Sequence, residues 1–182
     1  MEKGESAVRI ANAVTDSIVD GPGLRFTIFT QGCPHHCPGC HNPETHDIAG
    51  GSERTVEELI QRMQESPLTD GLTLSGGEPF LQAEDCARIA QAAHQQGWNV
   101  WTYTGYRYED LTQAGRADWD ALLEATDVLV DGPFLQESKS YDALFRGSTN
   151  QRLIDLNATR KAGQVVEWTR RDPLAHFTRP ES

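Results

Sequence analysis

The sequence predicts a single α/β domain built on a parallel sheet. Short runs rich in β-branched and aromatic residues alternate with segments whose apolar residues recur at helical spacing, as in βαβ units. Such strands pair in parallel through right-handed crossovers, and their ligand sites lie beyond the carboxyl ends of the strands. Because 182 residues fall short of the roughly 250 of a closed eight-unit barrel, we expect a partial (β/α) barrel, open on the side of the cysteine-rich loop described below.

The elements follow in order along the chain. The first strand, at 24–30, comes after the turn signal DGPG, and a cysteine-rich loop comes directly after it. A helix begins at Thr55, because Glu58 completes a capping box and apolar residues then recur at i, i+3, i+4 and i+7. The later elements are predicted strands at 71–75, 98–103 and 127–130, predicted helices at 82–96 and 119–125, and two further short strands near 153–156 and 165–168.

Composition limits the function classes. The formal net charge is −11, from 16 Lys and Arg against 27 Asp and Glu, which disfavours nucleic acid and anionic membrane surfaces as partners. No apolar run approaches the roughly 20 residues that span a bilayer, and the first residues contain no apolar signal core. We therefore expect a cytoplasmic protein of one domain over 1–182, with its core at about 16–155 and a loosely held tail at about 169–182.

Three of the four cysteines lie close together after the first strand. Cys33, Cys37 and Cys40 form a CxxxCxxC pattern, and in a reducing compartment such clusters indicate metal ligands or catalytic thiols rather than disulfides. Thiolates select zinc, copper(I) or iron–sulfur clusters. Three thiolates are one fewer than a closed structural site uses, so the pattern predicts a metal centre with one open position.

A second unusual segment ends the next strand. Gly76, Gly77 and Glu78 precede a proline, and the glycines would let backbone groups approach a ligand closely. The Glu78 carboxylate could accept a hydrogen bond from a ligand ammonium. Since the predicted strands are parallel, the cysteine loop, this GGEP turn, Thr104–Gly105 and Asp131 should meet at one edge of the sheet.

The remaining candidate ligands have simpler interpretations. Cys86 lies on the apolar stripe of the second predicted helix and is expected to be a small buried hydrophobe. His41 is expected to pack or form a hydrogen bond near the metal centre rather than to bind metal. We expect His35 and His36, which lie between the cysteines, to face solvent or a partner. His46, His94 and His176 are expected to be surface or packing residues.

These motifs together resemble a known family. CxxxCxxC after the first strand and GGEP after the second are similar to the radical S-adenosylmethionine enzymes. DGPGLRFTIFTQGC, LSGGEPF, VDGPF and FRGSTNQRLID resemble more narrowly the glycyl-radical-enzyme activases, above all the activators of anaerobic ribonucleoside-triphosphate reductase. One departure is Gly39, which stands where many radical S-adenosylmethionine enzymes have an aromatic residue; the reductase activators tolerate glycine at this position.

The resemblance implies a cofactor site. Cys33, Cys37 and Cys40 would bind three irons of a [4Fe-4S] cluster, and S-adenosyl-L-methionine would chelate the fourth through its amine and carboxylate. Further residues would contact this cofactor: Gly39, Cys40 and His41 along its length, Gly76, Gly77 and Glu78 at its amino-acid end, and Asp131 close to it or to an associated cation.

The resemblance also implies an oxidoreductase activity. The cluster would cleave S-adenosylmethionine reductively to a 5′-deoxyadenosyl radical, which takes a hydrogen atom from a glycine of a partner enzyme. The expected partners are a glycyl radical enzyme, above all anaerobic ribonucleoside-triphosphate reductase, and an external one-electron reductant of the flavodoxin or ferredoxin kind.

Three alternatives remain open from the residues. The chain could activate another glycyl radical enzyme, of the pyruvate formate-lyase type, or act on a small heterocycle as 7-carboxy-7-deazaguanine synthases do. It could instead be a structural zinc module in which His41 or His36 joins the three cysteines. The FRGSTNQRLID segment favours the reductase activators over the other enzymes, and a zinc module would not account for GGEP.

Overall fold

The computed structural model describes residues 6–170. Its strands are β1 Ala7–Ser17, β2 Arg25–Thr30, β3 Ser52–Thr55, β4 Gly71–Gly76, β5 Asn99–Tyr103, β6 Val128–Asp131 and β7 Arg152–Asp155. Its α-helices are α1 Val56–Gln64, α2 Ala83–Gln95, α3 Tyr108–Gln113, α4 Ala117–Glu124 and α5 Leu156–Ala162. Within the described residues the strands form one sheet in the order β3-β1-β2-β4-β5-β6-β7, so the predicted α/β class is confirmed.

The sheet is mixed, so the expectation of a parallel sheet is correct only at its centre. Strands β2, β4, β5 and β6 are parallel neighbours. The pairs β1–β2, β1–β3 and β6–β7 are antiparallel. A parallel pair needs a crossover connection, whereas a chain that turns back directly pairs antiparallel. No α-helix separates β1 from β2 or β6 from β7, and the second connection contains only a short 3-10 turn at Gln136–Ser138. Both pairs are accordingly antiparallel.

The two faces of the sheet are covered differently. Alternate residues of the central strands, such as Phe26, Ile28, Leu72 and Leu74, pack with buried residues of α1, α2 and α4 in the main hydrophobic core. The opposite face carries a smaller apolar cluster of Trp101, Val128, Val130 and Leu153. Because side chains alternate between faces along a strand, the helices of this core leave the second face free for a cavity.

Local sequence signals located most of the central elements. Helix α1 begins where predicted, and the Thr55 hydroxyl accepts a hydrogen bond from the Glu58 backbone N–H at 3.1 Å. Strands β1 and β3 and helix α3 were not predicted. β3 and α3 are short and largely polar, and β1 contains three alanines, a residue depleted in strands. The strand expected at 165–168 is reduced to a single bridge between Ile154 and Glu167.

No helix within the described residues is long and apolar enough to cross a membrane. The tail expected at about 169–182 lies outside the described residues from position 171 onward, and so does His176.

Candidate cofactor site at the carboxyl ends of the parallel strands

A cavity of about 770 Å³ lies on the face of the sheet opposite the main core. Phe29, Ser75 and Tyr103 line it from three adjacent parallel strands. The cysteine loop, the first two residues of GGEP, Thr104–Gly105 and Gly132 also line it. The topology therefore brings together the segments that parallel pairing was expected to collect.

All three cysteines of the CxxxCxxC pattern line this cavity. Backbone hydrogen bonds from Gly32 N to Thr45 O and from Cys33 N to His46 O hold the start of the loop. Gly39 has a φ of 73°, and a β-carbon there would lie 3.0 Å from the Gln136 side chain. Left-handed backbone and crowding together account for glycine before the third cysteine.

The cysteine set suits a cluster better than a single ion. Among residues 6–170, no three His, Cys, Asp or Glu side chains converge closely enough to hold one metal ion. A cubane cluster binds each thiolate to a different iron, so its ligands need not meet at one point. Burial raises the pKa of the Cys33 thiol, and a bound metal would offset this by stabilising the thiolate. The set of three thiolates therefore fits a [4Fe-4S] cluster with one iron left open.

The cavity is locally more basic than the protein as a whole. Lys139 and Arg146 line it, and Asp20 supplies its one lining carboxylate among the described residues. Arg146 donates from Nη1 to the Gln151 carbonyl at 2.8 Å. In a chain of net charge −11, these two cations favour an anionic occupant such as a thiolate-bound cluster.

The glycines of GGEP allow two strands to approach each other. A β-carbon on Gly76 would lie 2.6 Å from the Phe29 backbone, and one on Gly77 would lie 2.3 Å from the Gly32 carbonyl oxygen. The Gly77 N–H donates to Thr30 O and the Glu78 N–H to Gly32 O, each at 2.8 Å. The turn is therefore joined directly to the segment that leads into Cys33, while Gly76 and Gly77 still face the cavity.

Glu78 is completely buried and does not line the cavity. Its carboxylate accepts hydrogen bonds from Phe80 N at 3.1 Å, Thr104 Oγ1 at 2.9 Å and Gly105 N at 2.9 Å. A fourth bond, at 2.6 Å, comes from Nε2 of His35. The expectation that His35 faces solvent or a partner is thus wrong, since its side chain is only 17% exposed. His36 is exposed.

Asp131 is also buried, with 1% exposure, and lies beside the cavity rather than in its lining. It accepts hydrogen bonds from Tyr108 N at 2.8 Å and Arg152 Nε at 3.0 Å, and Arg152 Nη2 binds it as well. Arg152 also binds both carboxylate oxygens of Glu109, at 3.0 and 2.8 Å. The hydrogen bonds from Arg152 lower the pKa of the Glu109 carboxyl to about 2. Contact between Asp131 and a cofactor stays a prediction.

The expectation for Cys86 is confirmed. It is 0% exposed within the main core, and burial raises the pKa of its thiol far above the usual range. His41 lines the cavity, with its ring 4.9 Å from that of Phe134. His46 also lines the cavity, whereas His94 binds Asp127 at 2.9 Å.

Sequence reasoning missed the outer walls of the cavity. One wall is the segment between β6 and β7, and the other is the loop between β1 and β2. The segment between β6 and β7 contains no α-helix, and a connection of this length is a signal of function. It contains most of FRGSTNQRLID. The lining residues of these walls that were not predicted from the sequence are Ile18, Val19, Asp20, Phe134, Lys139, Ser140, Tyr141, Ala143, Leu144, Phe145, Arg146, Gly147 and Gln151.

Comparison with known proteins agrees with this arrangement. A family model described as a 4Fe-4S single cluster domain matches residues 19–154. The anaerobic ribonucleoside-triphosphate reductase-activating protein of Salmonella typhi is 36% identical over 142 residues, which cover 74% of this chain and 90% of the relative. The anaerobic ribonucleoside-triphosphate reductase-activating protein of Enterobacteria phage T4 is 34% identical over 142 residues, which cover 74% of this chain and 86% of the relative. A pyruvate formate-lyase-activating enzyme of Clostridium pasteurianum is 37% identical over 128 residues, which cover 67% of this chain and half of the relative.

The α/β sheet, the single-cluster domain and the cavity shared by the CxxxCxxC loop and GGEP define a radical S-adenosylmethionine protein with a [4Fe-4S] cluster. Within that class, the chain belongs to the family of anaerobic ribonucleoside-triphosphate reductase-activating proteins. The resemblance found in the sequence is thereby confirmed.

Proposed function

We propose that this protein activates an anaerobic ribonucleoside-triphosphate reductase by generating a glycyl radical on it. The observation that carries the proposal is the meeting of Cys33, Cys37 and Cys40 with Gly76 and Gly77 around one open cavity. When bound, the reduced cluster supplies the electron that cleaves S-adenosylmethionine to methionine and a 5′-deoxyadenosyl radical, which removes a hydrogen atom from the partner's glycine.

The chain's own residues bind and orient these groups. Cys33, Cys37 and Cys40 would hold three irons of the cluster and leave the fourth open to the amine and carboxylate of S-adenosylmethionine. Gly76 and Gly77, with Glu78 buried behind them, would hold the amino-acid end of the cofactor. Cys40 and His41 would lie along it, with Gly39 beside them. The sheet beneath the cavity excludes water from one side. Asp131 supports this region from beside the cavity.

The partner would enter from the open face of the sheet. We propose that the chain is one radical S-adenosylmethionine domain, a partial barrel whose open side admits a glycine-bearing loop. Four apolar residues, Ile18, Val19, Tyr141 and Leu144, line the cavity and are 43–89% exposed, and such exposed apolar residues mark interaction sites. An external one-electron donor of the flavodoxin or ferredoxin kind would reduce the cluster.

The direct test uses anaerobically reconstituted protein. Mixed with S-adenosylmethionine, a reductant and a candidate anaerobic reductase, it should produce a glycyl-radical doublet in electron paramagnetic resonance spectra. Cys33→Ala, Cys37→Ala and Cys40→Ala should each abolish 5′-deoxyadenosine formation, while Cys86→Ala should retain it. Tight zinc binding, without an iron–sulfur absorbance that dithionite bleaches, would refute the proposal.

The second candidate is activation of a pyruvate formate-lyase, favoured by the 37% identity to the clostridial activating enzyme. That match covers half of the relative, against 90% for the reductase activator. Offering both partner enzymes to the reconstituted protein separates the two functions. A glycyl radical on pyruvate formate-lyase alone would favour the second candidate.

A further inference from the structure

One side chain joins the middle of the cysteine loop to the edge of the sheet. His35, between the first two cysteines, binds Glu78 through Nε2 at 2.6 Å, and its ring meets that of Tyr106 edge-on at 4.5 Å. Within the described residues, no other side-chain hydrogen bond joins positions 34–39 to the rest of the chain. His35 is therefore the side chain whose hydrogen bond joins this part of the loop to the edge of the sheet.

The groove that holds His35 fits an imidazole closely. A β-carbon on Gly105 would lie 2.4 Å from the His35 ring, so only glycine leaves room for the ring at this point. Tyr106 covers another side of the ring. His35 thus packs against two residues that follow β5, as well as binding Glu78.

Glu78 has no acceptor position left over. An ionised carboxylate offers about four lone-pair sites, and Phe80 N, Thr104 Oγ1, Gly105 N and His35 Nε2 supply four donors. Three of these donors lie in the segments that follow β4 and β5, so they fix the carboxylate in place. His35 is the one donor that comes from the cysteine loop.

We propose that His35 and Glu78 are positioning residues that act as a pair. Glu78 holds His35, and His35 holds the segment between Cys33 and Cys37 at a fixed distance from Gly76 and Gly77. This inference rests on the proposed function, and it assigns the Glu78 side chain to the cysteine loop. Contact with the amino-acid end of S-adenosylmethionine then falls to the backbone of Gly76 and Gly77.

The pair predicts a shared effect on cluster retention and cofactor binding. In reconstituted protein, His35→Leu should release iron to a chelator about tenfold faster and bind S-adenosylmethionine about tenfold more weakly, as when a supporting partner of a metal ligand is lost. Glu78→Gln should do the same. Both changes break the same hydrogen bond between His35 and Glu78. The double variant should therefore differ from either single variant by no more than about twofold in iron release and in S-adenosylmethionine affinity.

Two further variants separate positioning from a general loss of folding. His35→Gln keeps an N–H donor on a side chain of similar reach and should recover most of the wild-type iron retention. His36→Asn alters the exposed neighbour in the same loop with a residue that tolerates its left-handed φ of 46°, and it should match the wild type. Thermal unfolding of each apoprotein shows whether a variant has lost its fold before cluster assembly.

The outcomes distinguish this inference from the function on which it rests. Wild-type iron release and affinity in His35→Leu, or effects that multiply in the double variant, would overturn the pairing alone. Weaker S-adenosylmethionine binding in Glu78→Gln with unchanged iron release would instead assign Glu78 to the cofactor's ammonium. Failure of the wild type to assemble a cluster would overturn the proposed function itself.

Discussion

Two buried carboxylates lie at the same edge of the sheet, and their partners differ in kind. Glu78 follows β4 and is bound by two backbone N–H groups, a threonine hydroxyl and an imidazole. Asp131 ends β6 and is bound by the guanidinium of Arg152, its cross-strand neighbour on β7. Both were expected from the sequence to contact the cofactor, yet neither lines the cavity.

The difference indicates two roles. Arg152 on β7 binds both Asp131 on β6 and Glu109 on α3. The Asp131 carboxylate therefore helps to connect these three elements through charge pairs that need no ligand. Glu78 has no Lys or Arg partner among the described residues, and one of its donors comes from the cysteine loop. Asp131 therefore stabilises the fold, whereas Glu78 links the fold to the site.

The largest expected effect on stability comes from Asp131→Ala. Removing one member of a buried ion pair leaves an uncompensated charge and costs about 3–5 kcal/mol. In the Asp131→Ala variant Arg152 still pairs with Glu109 and is partly exposed. We therefore expect a loss of stability at the lower end of this range, about 3 kcal/mol. Urea unfolding of the apoprotein measures this loss. Asp118→Ala, which removes the exposed pair with Arg116, is the control and should cost under about 1 kcal/mol. Equal losses would contradict the assigned role of Asp131.

Glu78→Gln should destabilise the apoprotein less. The amide keeps one acceptor oxygen but turns an NH₂ group toward donors such as Gly105 N, and an unsatisfied buried group costs about 1–3 kcal/mol. We expect about 1–2 kcal/mol in the same urea experiment. A loss larger than that of Asp131→Ala would mean that Glu78 chiefly stabilises the fold, which would contradict its role as a link between the fold and the site.

The Arg152–Glu109 bond should make stability depend on acid pH. The pKa of folded Glu109 is about 2, against an ordinary value of 4.5, so the folded state binds its proton less readily than the unfolded state. The resulting stabilisation is complete above about pH 4.5 and is lost as the pH falls toward about 2. Because Glu109 is 44% exposed, solvent screening limits it to under about 1 kcal/mol.

Comparing wild type with Glu109→Gln tests this pH dependence. The wild type should be the more stable apoprotein near pH 6, and the difference should shrink near pH 3. High salt should reduce it at both values. A difference that does not change with pH would show that Arg152 does not depress the pKa of Glu109.

The sequence predicted the parts of the fold that depend on local patterns. The central strands and α1 have strong propensity or capping signals, and Thr55 caps α1 as expected. Strand β1 lacks such a signal. Its position is set by pairing with β2 and β3, and no local pattern shows these contacts. The sequence therefore indicated the parallel centre of the sheet but not its antiparallel edges.

The site shows the same division. The spacing of Cys33, Cys37 and Cys40 and the GGEP turn placed the cavity correctly. The burial of His35 depends on Gly105 and Tyr106, about 70 positions away in the chain, and no local pattern encodes that contact. The pairing of Asp131 with Arg152 likewise requires the antiparallel register of β6 and β7.

A third buried ionisable group lies in the main core and, among the described residues, has no charged or hydrogen-bonding partner comparable to those of Asp131 and Glu78. Cys86 is 0% exposed in the main core, and burial keeps its thiol protonated by raising its pKa. It therefore needs neither the cation that Asp131 has nor the donors that Glu78 has. Cys86→Ala removes one buried sulfur and should cost about 1 kcal/mol, while the bound iron stays at the wild-type level.

Alkylation of the native apoprotein tests the state of this thiol. Cys37 and Cys40 are partly exposed, so iodoacetamide should modify them readily. Cys86 should react only after denaturant is added, because the thiolate is the nucleophile and burial disfavours it. Mass spectrometry of the peptides identifies each modified site. Rapid labelling of Cys86 in the native protein, or loss of iron in Cys86→Ala, would place this residue with the cluster ligands rather than in the core.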